Sequence, residues 1–147
     1  MDANNRVTLA HRWFEEVWNK GREEAIFEML AEDAIIHGLT DENGNEIVGQ
    51  AGFLSFCRNF RGAFPDIYVD VQQTIQEGDK IVALCKVTGT HNGHGLGFAP
   101  TNKPVTFTGT AIAVVKDGKL VEGWNHFDFL NLYQQLGYTL TATAERA

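Results

Sequence analysis

The chain has 147 residues, 44% hydrophobic and 21% charged, which is enough for one folded domain with a sizeable core. Its net charge of −7 and pI of about 5.1 argue against nucleic acid or an anionic membrane as the partner. No stretch is apolar for long enough to span a bilayer, and the polar N-terminus lacks the apolar run of a secretory peptide, so a cytoplasmic protein is expected.

Val7, Ala10, Phe14, Val17 and Trp18 recur at helical spacing, predicting a helix over residues 5–19 that Asn19-Lys20-Gly21 stops. Trp13 lies beside that stripe and either completes the core or faces a cavity. A second helix is expected over 22–30, then a short strand over 33–37 and a polar loop over 40–45. A third helix, over 50–61, carries Phe53, Leu54, Cys57 and Phe60 on one side. It ends at Phe64-Pro65-Asp66, because the residue before a proline disfavours helix.

From there the period changes from helical to alternating. Ile67, Val69 and Val71 alternate with Tyr68, Asp70 and Gln72, as in a half-buried strand. A turn at Glu77-Gly78-Asp79-Lys80 leads to a strand over 80–90. Residues 91–104 form a long glycine-rich connection, of a length that is usually functional or mobile. Strands over 105–115 and 119–127 flank Asp117-Gly118, a strong hairpin signal. A short helix over 129–136 stops at Gly137, and residues 138–147 read as a loose tail. Cys57 and Cys85 read as buried thiols in a reducing compartment, with a disulfide as the alternative.

Helices first and hairpin-linked strands afterwards indicate an α+β fold, with a curved antiparallel sheet wrapped around N-terminal helices and a conical cavity open at one end. Such a cavity suits a hydrophobic small-molecule ligand. The whole chain, residues 1–147, is expected to be a single domain.

Several motifs occur in an order that is familiar. They include Val17-Trp18-Asn19-Lys20-Gly21, Glu32-Asp33 with His37, Phe64-Pro65-Asp66, and Gly89-Thr90-His91 with the loop over 97–104. Lys116-Asp117-Gly118-Lys119, Glu122-Gly123-Trp124 with Asp128, and Gln134-Gln135-Leu136-Gly137 complete the set. In these the chain resembles the SnoaL-like polyketide cyclases of the nuclear-transport-factor-two-like (NTF2-like) superfamily. The resemblance implies a cone-shaped fold, a homodimer or higher homo-oligomer, and cofactor-free ring closure of a polyketide by intramolecular aldol condensation. In that chemistry an aspartate on the last strand shuttles the proton. Aligned through Lys119 and the Gln-Gln-Leu-Gly ending, that aspartate falls on Asn125, and a histidine found in some members falls near Ala113. An amide cannot shuttle a proton, although its NH2 can donate to a developing enolate oxygen.

Strand alternation places Val121, Gly123, Asn125 and Phe127 on one face, with Glu122, Trp124, His126 and Asp128 on the other. The resemblance implies that the face of Asn125 meets the cavity, which makes Asn125 a candidate catalytic residue at its wall, with a plain structural amide as the alternative. His91 and Asp128 are candidate proton carriers. The alternatives are that His91 bonds the glycine-rich loop and that Asp128 caps the helix after it. Trp13, His37, Phe53 and Phe127 are expected to line the pocket. His91-Asn92-Gly93-His94 has no cysteine or paired carboxylate at ligand spacing, so no metal is expected. Two other functions stay open: a non-catalytic small-molecule-binding module, and a hydrolase or isomerase of the same superfamily.

Overall fold

A computed structural model describes residues 3–143, with side chains from Arg6 onward. Helix α1 (Ala3–Arg12) continues without a break into a π-helical segment, Trp13–Asn19, and α2 (Glu24–Met29) follows. The wider π turn brings residues five apart onto one side, so Trp13 and Trp18 face the same interior space as Phe14. Gly21, at φ 66°, then turns the chain. Asn19 pairs with the strand edge like a short rung. Its Nδ2 donates to the Val69 carbonyl at 3.0 Å, and the Val69 amide donates back to its Oδ1 at 2.6 Å.

Strands β1 (Leu30–Thr40) and β2 (Glu46–Val48) precede α3 (Gly49–Ala63), and β3 (Tyr68–Glu77), β4 (Lys80–Thr90), β5 (Pro104–Lys116) and β6 (Lys119–Phe127) follow it. The six form one curved, unclosed sheet in the order β2-β1-β6-β5-β4-β3. Four of the five ladders are antiparallel, while β1 runs parallel to β6. That parallel pair is possible because α3 and four strands intervene in the chain, far more than a crossover needs. The mixed α+β cone expected from the sequence is thus observed, with one parallel pair added. The short strand β2 sits between the expected polar loop and α3, where the sequence analysis assigned no element.

The core fills the concave side. Ile81, Ala83, Cys85 and Val87 of β4 point inward and share one core cluster with Val17, Phe53 and Phe64, all of them buried. Cys57 and Cys85 are free, buried thiols whose pKa values burial pushes up to about 12. Asp117 and Gly118 both take positive φ, 51° and 76°, as the two-residue hairpin requires. A register shift between Val114 and Val115 places Leu120, rather than Val121, inward at the start of β6. Beyond that bulge Gly123, Asn125 and Phe127 pair with Ala113, Ala111 and Gly109 on β5. Helix α4 (Phe129–Gln135) closes the cone. From Tyr138 to Thr143 the chain is exposed and without regular structure, and residues 144–147 of the expected tail lie outside the described residues. Among the described residues no helix is long and apolar enough to cross a membrane.

Candidate functional site

Two small chambers lie inside the cone, of about 60 and 70 Å3. Trp13, Phe14, Phe53 and Asn125 line both, so these four side chains form the partition between them. Trp13 and Phe53 touch with ring centroids 4.9 Å apart, and Trp18 meets Phe53 edge-on at 5.8 Å. Taken singly, each chamber is smaller than the ~150 Å3 apolar cavity that holds one benzene. A ring would fit only where the side chains of the partition shift and join the two, and a wider mouth lies beyond them. There Phe56, Phe60, Phe129 and Tyr133 meet the polar Asp41, Asn59 and Glu46.

Apart from the indole N–H groups of Trp13 and Trp18 the first chamber is lined by hydrocarbon, and Asn125 supplies its one side-chain acceptor among the described residues. Its Nδ2 donates to the backbone carbonyl of His37 at 3.1 Å, which ties β6 to β1 across the parallel pair. Next to that carbonyl is Gly38, at φ 86°, where a Cβ would run into the Asn125 carbonyl oxygen. A close approach of two backbones thus sets the height at which the amide enters the cone.

The sequence profile described as SnoaL-like polyketide cyclase matches residues 8–136. The chain belongs to the SnoaL-like polyketide cyclase family. Solved structures agree with that assignment. A proposed polyketide cyclase from Bacillus cereus ATCC 10987 is 32% identical, with a TM-score of 0.76 over 92% of this chain and 82% of that one. AclR, a proposed hydroxylase from Streptomyces galilaeus, is 26% identical, with a TM-score of 0.79 over 92% and 83%. A proposed SnoaL-like polyketide cyclase from Jannaschia sp. CCS1 shares the fold, with a TM-score of 0.81 at 21% identity over 93% and 94%. No curated protein sequence matches the chain.

In this SnoaL-like chain Asn125, Trp13, Phe53 and Phe127 come together at the chambers. The other three candidates lie elsewhere. His91 is fully buried between Phe64 and Phe98, with centroids 5.4 and 5.2 Å away, and lines neither chamber. Its Nδ1 accepts from the Thr101 amide at 3.1 Å, and its backbone bonds Lys103 and Asn102, so it clasps the base of the glycine-rich loop. Burial lowers its pKa, with a smaller push from His94, and keeps the ring neutral. Asp128 is the cap of α4, its Oδ1 accepting from the Asn131 amide at 3.1 Å.

His37 was expected in the pocket, but its side chain stands on the outer face, opposite the buried Ile36 and Leu39. There it stacks on Trp124 at 5.2 Å, and its two ring nitrogens each meet a carboxylate at 2.7 Å, Glu46 and Glu122. These partners, Glu122 first and then Glu46, raise its pKa. A raised folded value means that its stabilisation is complete below the unfolded pKa of ~6.5 and is lost as pH rises through the folded value. Melting temperature measured against pH should therefore fall as pH rises from about 6.5 through the folded value, and His37→Gln should flatten the fall. An unchanged slope in the variant would show that the cluster contributes nothing.

Sequence reasoning assigned no pocket role to Trp18, Phe129 or Tyr133. The helical spacing of Phe129 and Tyr133, four apart on α4, is the signal that places both over the mouth. Among the described residues no group of three or more His, Cys, Asp or Glu is arranged to hold a metal.

Proposed function

We propose that this SnoaL-like chain binds a hydrophobic small molecule, a polyketone or polycycle, with one ring inside the cone against Asn125. The observation that carries this reading is an aromatic interior with one carboxamide, that of Asn125, at the partition of its chambers. Titration with 1-tetralone, a fused-ring ketone, should change the fluorescence of Trp13 and Trp18 saturably; no change up to the ligand's solubility limit would refute the reading.

A second reading keeps the family's aldol-type cyclisation. Asn125 has one N–H beyond the one given to His37, and it could donate to an enolate oxygen while the substrate's own acidity supplies the proton. Against this stands the lack of a carboxylate among the described residues lining the first chamber. The outer sheet face, with Ile112 and Trp124 half-buried and Leu84 and Ile75 exposed, is the surface on which two copies would pair.

A further inference from the structure

We propose that His91 is an acid-sensitive latch: its neutral ring holds residues 91–103 closed along the mouth of the cone, and its protonated ring releases them. The latch works the same way whether or not the cone takes a ligand. The loop is seated on α3 by close backbone contact. Its Gly93 amide donates to the Ala63 carbonyl at 3.2 Å. A Cβ on Gly93 would strike the Gly62 carbonyl, and one on Gly95 the Asn59 carbonyl, so backbone lies directly on backbone there. From that seat Gly95, Leu96 and Gly97 wall the mouth.

His91 closes the base of the loop. The Asn102 amide donates to its carbonyl at 2.7 Å, and its own amide donates to the Lys103 carbonyl at 2.9 Å. Its Nδ1 accepts from the Thr101 amide at 3.1 Å. A backbone N–H can only donate, so Nδ1 carries no hydrogen and the neutral ring has its hydrogen on Nε2. That Nε2 is buried and meets no partner among the described residues. Protonation adds a second N–H, aimed at the Thr101 amide donor. The Thr101 hydroxyl, also 3.1 Å from Nδ1, can turn to accept it, but the amide is then left opposed and Nε2 stays unpaired. The new charge is fully buried between Phe64 and Phe98, where water does not reach it.

The surroundings offer no counter-ion. Among the described residues the histidine–carboxylate pairs are both on His37, none on His91. Asp66, just before β3, is turned to the Thr90 amide at 2.7 Å. Lys103 meets His91 through its backbone, and its Nζ lies beside Gly137 after α4. Tyr133 and Tyr138, packed on Phe98, are phenols that acid leaves uncharged. His94, on the loop itself, adds a like charge. Burial first and His94 second hold the ring's pKa below the ~6.5 of an open loop. Because the closed-state value is the lower one, closure is fully stable above ~6.5 and weakens as pH falls from there towards that value.

Amide hydrogen exchange of the wild-type chain at pH 7.5 and 5.5, read as protection factors, tests the latch. The amides of Gly93, Thr101 and Asn102 report the loop, and those of the β4–β5 ladder are the control. Loop protection should drop about tenfold at the lower pH, as expected for one site with an open-state pKa of ~6.5, while the ladder holds. Melting temperature is a poorer readout, since His37 on the outer face moves it the other way. His91→Asn, whose Oδ1 can accept from the Thr101 amide and does not titrate, should keep loop protection level. Wild-type loop protection equal within about twofold at both pH values would overturn the latch. So would loop and ladder losing protection together, or ring 15N shifts that place the hydrogen on Nδ1 at the higher pH. The wild-type measurements decide the matter alone, so a poorly folded variant leaves the test intact.

Discussion

Replacing Gly38 by alanine is expected to cost the fold about 3 kcal/mol or more. The residue holds φ 86°, a conformation that costs an L side chain about 1–2 kcal/mol. A Cβ there also runs into the Asn125 carbonyl, a backbone atom that cannot swing aside as a side chain could. Relief requires β1 to move off β6, which breaks the parallel pairing of Ile36 with Gly123 and His37 with Trp124. The amide of Asn125 would lose its anchor in the same movement. Chemical denaturation measures the loss. A variant within 0.5 kcal/mol of wild type, roughly the scatter of neutral surface changes, would show that the two strands are not locked at this point.

The second large effect is expected for Asn125→Asp, which restores the residue type that the resemblance places here. In the wild type an N–H faces the His37 carbonyl, and in the variant a carboxylate oxygen would. Two acceptors then oppose each other beside an aromatic wall, a cost of about 2–4 kcal/mol at pH 7. Burial and the facing carbonyl raise the new carboxyl's pKa above the unfolded value of ~3.9. The folded state therefore holds the proton longer than the unfolded state does. Stability is best at acid pH and falls as pH rises through the folded pKa. The variant's melting temperature, compared with that of wild type, should be near-normal at pH 4 and depressed at pH 7. Equal stability at both would mean that the amide's bond to β1 is not what positions the residue. If the variant instead gains turnover of an enolisable polyketide, the cyclisation reading gains the support that the wild-type geometry withholds.

Local chemistry made much of this fold legible. Asp117-Gly118 specified its hairpin because few residue pairs tolerate positive φ twice in succession. Phe64-Pro65 ended α3 close to where its backbone sterics require. A period of two put Asn125 and Phe127 on one face and the family resemblance made that face the inner one, while the bulge at Val121 breaks the pattern only upstream of them. What stayed hidden was decided by residues distant in sequence. The outward turn of His37 is fixed by Glu122, 85 positions away, and by Trp124, neither of which the apolar run before it announces. His91 was caught by Thr101 at the far end of its own loop. The π-helical segment escaped because Trp13, Phe14, Val17 and Trp18 satisfy an α or a π spacing almost equally over so short a stretch. The parallel β1–β6 pairing lay beyond any local pattern.

Where a bound ring sits is the most direct question to put to the protein. Intermolecular nuclear Overhauser effects in the 1-tetralone complex answer it, with Trp13, Trp18 and Phe53 as reporters inside and Trp124 outside. Contacts from the aromatic ring to Trp13 and Phe53, with none to Trp124, are the predicted result. Contacts confined to Trp124 and the outer sheet face, with the interior signals unmoved, would contradict a ligand site in the cone.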